Sequence, residues 1–212
     1  MNMLVLANTQ TGGEWIATFR YLQDLKLRKP ETQLHLISYC NDSATSKYQE
    51  IFQTVQEIYP AFAYSPFSFA KKIIKDILQL RTEINKKFRD LPIQQVYCAN
   101  YLMVLAFYAI PSLWNFPFTY AYHGRKSSII RMVNDLNYRE ILTKILEFLA
   151  LLVAQKIVTP ANAGKLQITQ QLGLLTQFKQ IEIIPNVLPV EFYQKPDKEK
   201  LVRFAKKNGL TN

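Results

Sequence analysis

The long stretch without charge from Leu91 to Tyr122 constrains the fold of this 212-residue chain more than any other feature. It contains no Asp, Glu, Lys, Arg or His, and it is longer than the roughly 20 residues that cross a bilayer. Pro92, Pro111 and Pro117 interrupt it, however, and proline breaks a helix. Covered strands and helices between layers are apolar throughout, so the stretch predicts a buried helix and strand rather than a membrane span.

Predicted strands and helices alternate along the rest of the chain as well. Helices are recognised by apolar residues every three or four positions, and strands by short apolar or alternating runs. In chain order we predict a strand at 2–7, a helix at 14–28, a strand at 33–39, helices at 44–58 and 69–89, a strand at 93–98, a helix at 101–110, a strand at 116–122, helix within 129–154, a strand at 156–159, a helix at 161–172, a strand at 180–184 and a helix at 197–208. This alternation is typical of βαβ units with a parallel sheet.

The charge balance predicts an anionic partner. Lys and Arg number 26 against 16 Asp and Glu, a net charge of +10, which suits nucleic acid, anionic lipid or a sugar nucleotide. No RNP motif, zinc finger or basic zipper is present, so nucleic acid rests on charge alone. Two lysine-flanked apolar stripes could rest on an anionic bilayer, although core packing is the more common role of such stripes. They are Ile73, Ile74, Ile77 and Leu78 in one helix, and Ile141, Leu142 and Ile145, beside Arg139 and Lys144, in another.

Cysteine and histidine usage excludes two other classes of protein. The two cysteines, Cys40 and Cys98, are far apart, and only His35 and His123 could join them as metal ligands. Neither a disulfide framework nor a zinc site is indicated, which fits a reducing, cytoplasmic compartment. The N-terminus lacks the basic region and cleavage site of a signal peptide.

The first candidate site lies in the loop after the first strand. Ligands of parallel sheets gather at the carboxyl ends of the strands. Gly12 and Gly13 would let backbone amides at a helix start come close to an anion or a sugar. The spacing fits neither the dinucleotide-binding GxGxxG fingerprint nor the Walker loop, and a plain turn is the alternative.

The second candidate site follows the strand at 116–122. His123 offers a hydrogen-bond donor and an acceptor there, and Arg125, Lys126 and Arg131 follow, with two serines between them. This combination suits a phosphate or a sugar. No carboxylate pair, GxSxG elbow or HExxH motif supports hydrolase or zinc-protease chemistry. The residues alone predict a basic α/β domain that binds a phosphorylated ligand.

Five segments, in order, carry a family resemblance. They are the strand 4–6 with Thr11-Gly12-Gly13-Glu14, the strand 96–100, the run 116–124 ending in His123-Gly124, the strand end 157–162, and the run 181–187 containing Pro185-Asn186. This series resembles the N-terminal half of retaining glycosyltransferases of the GT4 (group 1) family, whose two Rossmann-like halves form the GT-B arrangement. One departure is Val187, which stands where the family usually has glycine.

The resemblance implies the architecture of the chain. It implies an α/β fold, a Rossmann-like three-layer sandwich with a mainly parallel central sheet, forming one half of a GT-B arrangement. Residues 1–190 would be the acceptor-side domain. Residues 191–212 would be a connecting segment and helix leading toward a C-terminal donor-binding domain that this sequence does not contain. The chain would then be a fragment or a separately encoded half, and inactive alone.

The resemblance also implies a function. The protein would transfer a sugar from a nucleotide-sugar donor to a glycan or lipid-linked acceptor, without a metal or other cofactor. It would work in the cytoplasm, with peripheral contact at the inner face of the membrane as a further expectation, and without nucleic acid. His123 would be the catalytic residue and contact the transferred sugar. Donor- or acceptor-binding residues would be Gly12, Gly13, Glu14, Gly124, Arg125, Lys126 and Asn186. The alternative is a non-catalytic α/β binding module, or separate subunit, for an anionic partner.

Overall fold

The computed structural model describes residues 1–8, 13–39, 50–59, 66–123 and 138–186. Within them, seven strands and five α-helices follow one another. The strands are β1 (Asn2–Ala7), β2 (Gln33–Tyr39), β3 (Thr54–Ile58), β4 (Gln95–Cys98), β5 (Phe118–Ala121), β6 (Lys156–Thr159) and β7 (Gln180–Ile183). The helices are α1 (Gly13–Arg28), α2 (Pro66–Asp90), α3 (Tyr101–Tyr108), α4 (Tyr138–Val153) and α5 (Asn162–Leu172), with 3-10 turns at Pro111–Leu113 and Gly173–Phe178.

The strands form one parallel sheet in the order β3-β2-β1-β4-β5-β6-β7. Its register is set by β1, in which Leu6 lies beside Ile37 of β2 and Cys98 of β4. Strand order reverses direction between β1 and β4, as in doubly wound α/β proteins. The predicted α/β fold with a mainly parallel sheet is therefore confirmed, and every strand pair in the described residues is parallel.

Two hydrophobic cores lie on opposite faces of the sheet, because successive strand side chains point to opposite sides. Leu4 and Leu6 of β1 enter the core beneath α2, α3, α4 and α5. Met3 and Val5 enter the other core, where α1 contributes the buried Trp15. The three layers are thus helices, sheet and helix, with four described helices on one face and α1 on the other.

The strands and the helix of the charge-free stretch are buried, as predicted, and most of their side chains lie in the larger core. The stretch supplies β4, α3 and β5, and Phe107 of α3 lies with its ring centroid 4.5 Å from that of Phe118 in β5. Phe116 meets Phe88 of α2 edge to face at 4.8 Å. No helix in the described ranges is long and apolar enough to cross a membrane. The stretch therefore owes its lack of charge to burial between layers.

The predicted helix over 44–58 is wrong in its last part. Thr54–Ile58 is the edge strand β3, paired with β2 from His35 to Tyr39. The reason is that the β-branched residues Thr54, Val55 and Ile58 suit a half-buried strand. The outer edge of β2 also presents backbone N–H and C=O groups with which this segment can pair. Residues 44–49, the helix predicted at 197–208 and the domain boundary at 190 lie outside the described residues.

Candidate functional site

The candidate site lies at the edge of the sheet where the strands have their carboxyl ends. After β1 the chain passes to α1 on one face, and after β4 it passes to α3 on the other. In open parallel sheets this divergence leaves a crevice in which ligands bind. His123 follows β5, the neighbour of β4, at the same edge.

The imidazole of His123 is placed by α1. Its Nε2 atom lies 3.4 Å from Oγ1 of Thr18, and either group can be the donor, depending on the tautomer of the ring. Thr18 is fully buried on the face of α1 that packs against the sheet. The hydroxyl of Tyr97 in β4 is also hydrogen-bonded to Thr18. One threonine hydroxyl thus connects a helix, a central strand and the histidine.

Burial keeps His123 uncharged. It lowers the pKa of the imidazole to about 4, so the ring is neutral at pH 7. A neutral imidazole presents one N–H donor and one nitrogen acceptor. It therefore suits a hydroxyl-bearing ligand such as a sugar better than it suits the charge of a phosphate.

A cleft opens beside His123, between α1 and the carboxyl ends of β5, β6 and β7. Ala17 and Tyr21 form its helical wall, and Asn186 lies on the far side, just after β7. The ring of Tyr21 stacks on that of Tyr97 with a centroid distance of 5.1 Å, which gives the cleft an aromatic floor. Of the predicted site residues, the structure brings His123 and Asn186 together in this cleft.

The start of α1 faces the same edge. The helix begins at Gly13, and Glu14 belongs to its first turn. Thr18 is five residues further along, so the first amides lie about 7.5 Å along the axis from the residue that contacts His123. The first amides of a helix and the helix dipole attract anions in general. Gly12 and the loop residues Gly124, Arg125 and Lys126 lie outside the described residues.

The start of α3, at the same edge, is already capped. The Asn100 side chain accepts hydrogen bonds from the amides of Leu102 and Met103 at 2.9 and 3.3 Å. Cys98 just before it is fully buried, and burial raises the pKa of its thiol to about 12. A thiol with that pKa is not a nucleophile at neutral pH. The two amides that Asn100 caps are therefore not available to a ligand.

Sequence reasoning missed a buried polar cluster at the end of β2. The hydroxyl of Tyr39 donates to Oδ2 of Asp76 at 2.5 Å, and the Lys72 ammonium lies 2.5 Å from the same oxygen. Asp76 is 2% exposed, and the ammonium also lies 5.7 Å from the centroid of the Tyr39 ring. The i, i+4 spacing of Lys72 and Asp76 is the one sequence signal that could have indicated the pair.

The sequence analysis did not identify Thr18 either, although the helical pattern indicates that it lies on the buried side of α1. Trp15, Phe19 and Leu22 mark the buried stripe of α1, and Thr18 is the hydroxyl-bearing residue among them.

The other histidine, His35, is not part of the site. Its Nδ1 atom lies 3.1 Å from Oγ1 of Thr54 on the face of the sheet opposite α1. No cluster of metal-ligating side chains occurs within the described ranges.

No protein-family model matches this sequence, and no curated protein matches it. Solved structures share its fold. Sucrose-phosphate synthase from Thermosynechococcus elongatus aligns with a TM-score of 0.68 at 10% identity, over 96% of this chain and 52% of that chain. HepE from Anabaena, solved with UDP and glucose, aligns at 0.57 and 13% identity, over 100% and 51%. A glycosyltransferase from Rickettsia africae aligns at 0.57 and 15% identity, over 100% and 50%.

At these identities the likeness shows the fold. The chain has the Rossmann-like α/β fold that forms one half of GT-B glycosyltransferases. It spans about half the length of the solved structures it matches.

Proposed function

We propose that this chain is the acceptor-side half of a retaining, GT4-like glycosyltransferase that moves a sugar from a nucleotide-sugar donor to a glycan or lipid-linked acceptor. The observation that carries the proposal is the neutral His123 at the carboxyl end of β5, in a fold shared with sugar-transferring enzymes. The ordered motifs around Gly12-Gly13, His123-Gly124 and Pro185-Asn186 support the GT4 assignment and the retaining stereochemistry.

His123 would hydrogen-bond a hydroxyl of the transferred sugar. Because Thr18 lies beside Nε2, Nδ1 would be the ring atom that meets the ligand. The ring then orients the sugar without adding charge next to the reacting carbon. Orientation of this kind lowers the barrier because the bound sugar is already close to its reacting geometry.

The start of α1 would receive the charge that develops as the nucleoside diphosphate leaves. Preorganised amides stabilise such charge well because they need no reorientation during the reaction. Gly12 and Gly13 would let the phosphate approach these amides, and Glu14 would line the same turn. Gly124, Arg125 and Lys126 would lie on the acceptor side, and Asn186 at the rim of the cleft. We expect no metal ion or other cofactor to take part.

The test is a transfer assay on the protein that contains this chain. UDP-, GDP- and ADP-sugars are offered with glycan and polyprenyl-phosphate acceptors, nucleoside diphosphate release is measured, and NMR gives the anomeric configuration of the product. We expect one donor to react with retention, and His123→Ala to lower kcat/KM by roughly 100-fold. The exposed Gln170→Ala on α5 is the control and should match the wild type.

Several results would overturn the proposal. One is that no donor supports transfer, while the chain binds an anionic partner and His123→Ala leaves that binding unchanged. This result would identify a binding module. Inversion at the anomeric carbon would contradict the retaining assignment. Full transfer by the 212-residue chain alone would contradict the division into an acceptor half and a donor half.

A further inference from the structure

α2 has a solvent-facing side that neither core uses. Its apolar residues Ile73, Leu80 and Ile84 are buried in the larger core. The opposite side, here called the α2 outer face, consists of Lys71, Ile74, Lys75, Leu78, Arg81 and Lys86, all exposed. Lys71 to Arg81 are spaced by three and four residues and Lys86 follows Leu78 by eight, which places all six along one side of the helix. This surface lies apart from His123 and the cleft beside it.

The charge of the α2 outer face is of one sign. Four of its six side chains are cations. The acids nearest to it along the helix do not neutralise it: Asp76 is buried against Lys72, and Glu83 is half-buried. Asp90 lies at the far end of the helix, beside Arg89. Such a face attracts an anionic surface.

Two large aliphatic side chains stand among these cations. Ile74 is 61% exposed and Leu78 is 52% exposed, one helical turn apart. By comparison, the neighbouring Ile73 of the same helix is 5% exposed because it faces the core. The outer side of the helix therefore carries two aliphatic side chains whose contact with water is unfavourable.

An anionic lipid surface satisfies both features at once. Its phosphates pair with the lysines and arginine, and its interfacial zone receives the aliphatic side chains. A nucleic-acid backbone would pair with the cations and leave Ile74 and Leu78 in water. The second stripe considered from sequence differs in its described side chains: Ile145 is exposed, but Ile141, Leu142 and Lys144 are half-buried.

We propose that the α2 outer face docks this protein on the surface of a bilayer that contains anionic lipid. The helix begins at the carboxyl edge of the sheet because it follows β3 in a parallel crossover. The inference stands on α2 alone and does not depend on sugar transfer.

The test is co-flotation of the full chain with vesicles in 150 mM salt. Vesicles of pure phosphatidylcholine are compared with vesicles that contain phosphatidylglycerol at about a third of the lipid. We expect binding to the anionic vesicles alone. Lys71→Glu/Lys75→Glu should weaken it by at least about tenfold, since each cation near a charged surface contributes severalfold. The control is Lys29→Glu/Lys165→Glu, the same charge change at exposed positions on α1's C-terminal side and on α5.

A second variant pair tests the aliphatic side chains at constant charge. Ile74→Ser/Leu78→Ser should reduce vesicle binding severalfold, whereas Leu27→Ser/Leu166→Ser, at positions 81% and 59% exposed, should not. Circular dichroism checks that each variant is folded. Equal binding to both vesicle types, no binding by the wild type, or equal loss in the controls would overturn the proposal. Binding to DNA or RNA in place of vesicles would also overturn it and identify a nucleic-acid surface.

Discussion

The hydroxyl of Thr18 on α1 lies 3.4 Å from Nε2 of His123, a residue 105 positions later in the chain. Thr18 also bonds Tyr97 of β4, so the histidine is oriented by the packing of α1 on the sheet. The ring is held before any ligand arrives. In the proposed reaction Thr18 would therefore be a positioning residue, whereas His123 would contact the sugar.

Replacing Thr18 by Val should separate positioning from packing. The substitution keeps the shape but removes the hydroxyl from the buried Tyr97 and the half-buried His123, which costs about 1 to 3 kcal/mol of stability. In the transfer assay kcat should fall roughly tenfold with a smaller change in KM. Thr18→Ser keeps the hydroxyl and should restore most of kcat. Equal losses in the Val and Ser variants would show that only packing matters.

Stability should fall in acid because of His123. Its pKa is about 4 in the folded protein, against a usual value of 6.5. Below pH 6.5 the imidazole of His123 binds a proton in the unfolded chain but not in the folded one. The free energy of unfolding therefore falls by up to about 1.4 kcal/mol per pH unit until pH 4. Urea denaturation at several pH values measures this slope, and His123→Asn should reduce it.

The slope should not vanish in His123→Asn, because burial and then Lys87 lower the pKa of His35 as well. An NMR titration of the wild type checks the assignment directly. A His123 midpoint near 6.5 would contradict the buried, neutral ring.

Asp76→Ala should destabilise the chain by about 3 kcal/mol, because it leaves Lys72, whose side chain is 16% exposed, without its counter-ion. Tyr39 would lose its acceptor too. Asp24→Ala is the matched control, since its partner Arg28 is 75% exposed, and it should cost less than about 1 kcal/mol. Thermal or urea denaturation gives both values. Equal costs would mean that the Asp76 pair is as well solvated as the surface pair.

Gly164→Ala should destabilise the start of α5. The added Cβ would overlap the hydroxyl of Thr159, which is buried at the end of β6. Overpacking of this kind costs about 1 to 3 kcal/mol. Thr159→Ala removes the obstacle, so the double variant should be more stable than the sum of the two single effects predicts. Additive losses in urea denaturation would refute the overlap.

Pattern reasoning found the elements that have strong local signals. Strands β1, β2 and β6 have the predicted bounds, and the core placement of α3 followed from the absence of charge. β3 was missed because an edge strand is only half-buried and its five residues, Thr54–Ile58, also fit a helical pattern. Pairing with β2 makes this segment a strand, and the local sequence does not show that pairing.

The site was predicted less completely because its contacts are distant in sequence. His123 could be selected from its place after a strand, but its partner Thr18 depends on how α1 packs. Ile73 and Ile74 differ in this respect, because Ile73 belongs to the periodic stripe that continues with Ile77, Leu80 and Ile84. That stripe faces the core, while Ile74 is exposed, so the local pattern does specify how α2 is rotated.

The central position of β1 has a consequence for synthesis. Met3 pairs with Leu34 on one side and with Gln95 on the other, so its second neighbour is made much later than the first. At ribosomal speeds of about 5 to 20 residues per second, roughly 3 to 12 seconds separate the two. During that interval one edge of β1 and the future contacts of Leu4 and Leu6 are open on the nascent chain. Chaperone capture and aggregation during translation would both act on this half-built sheet.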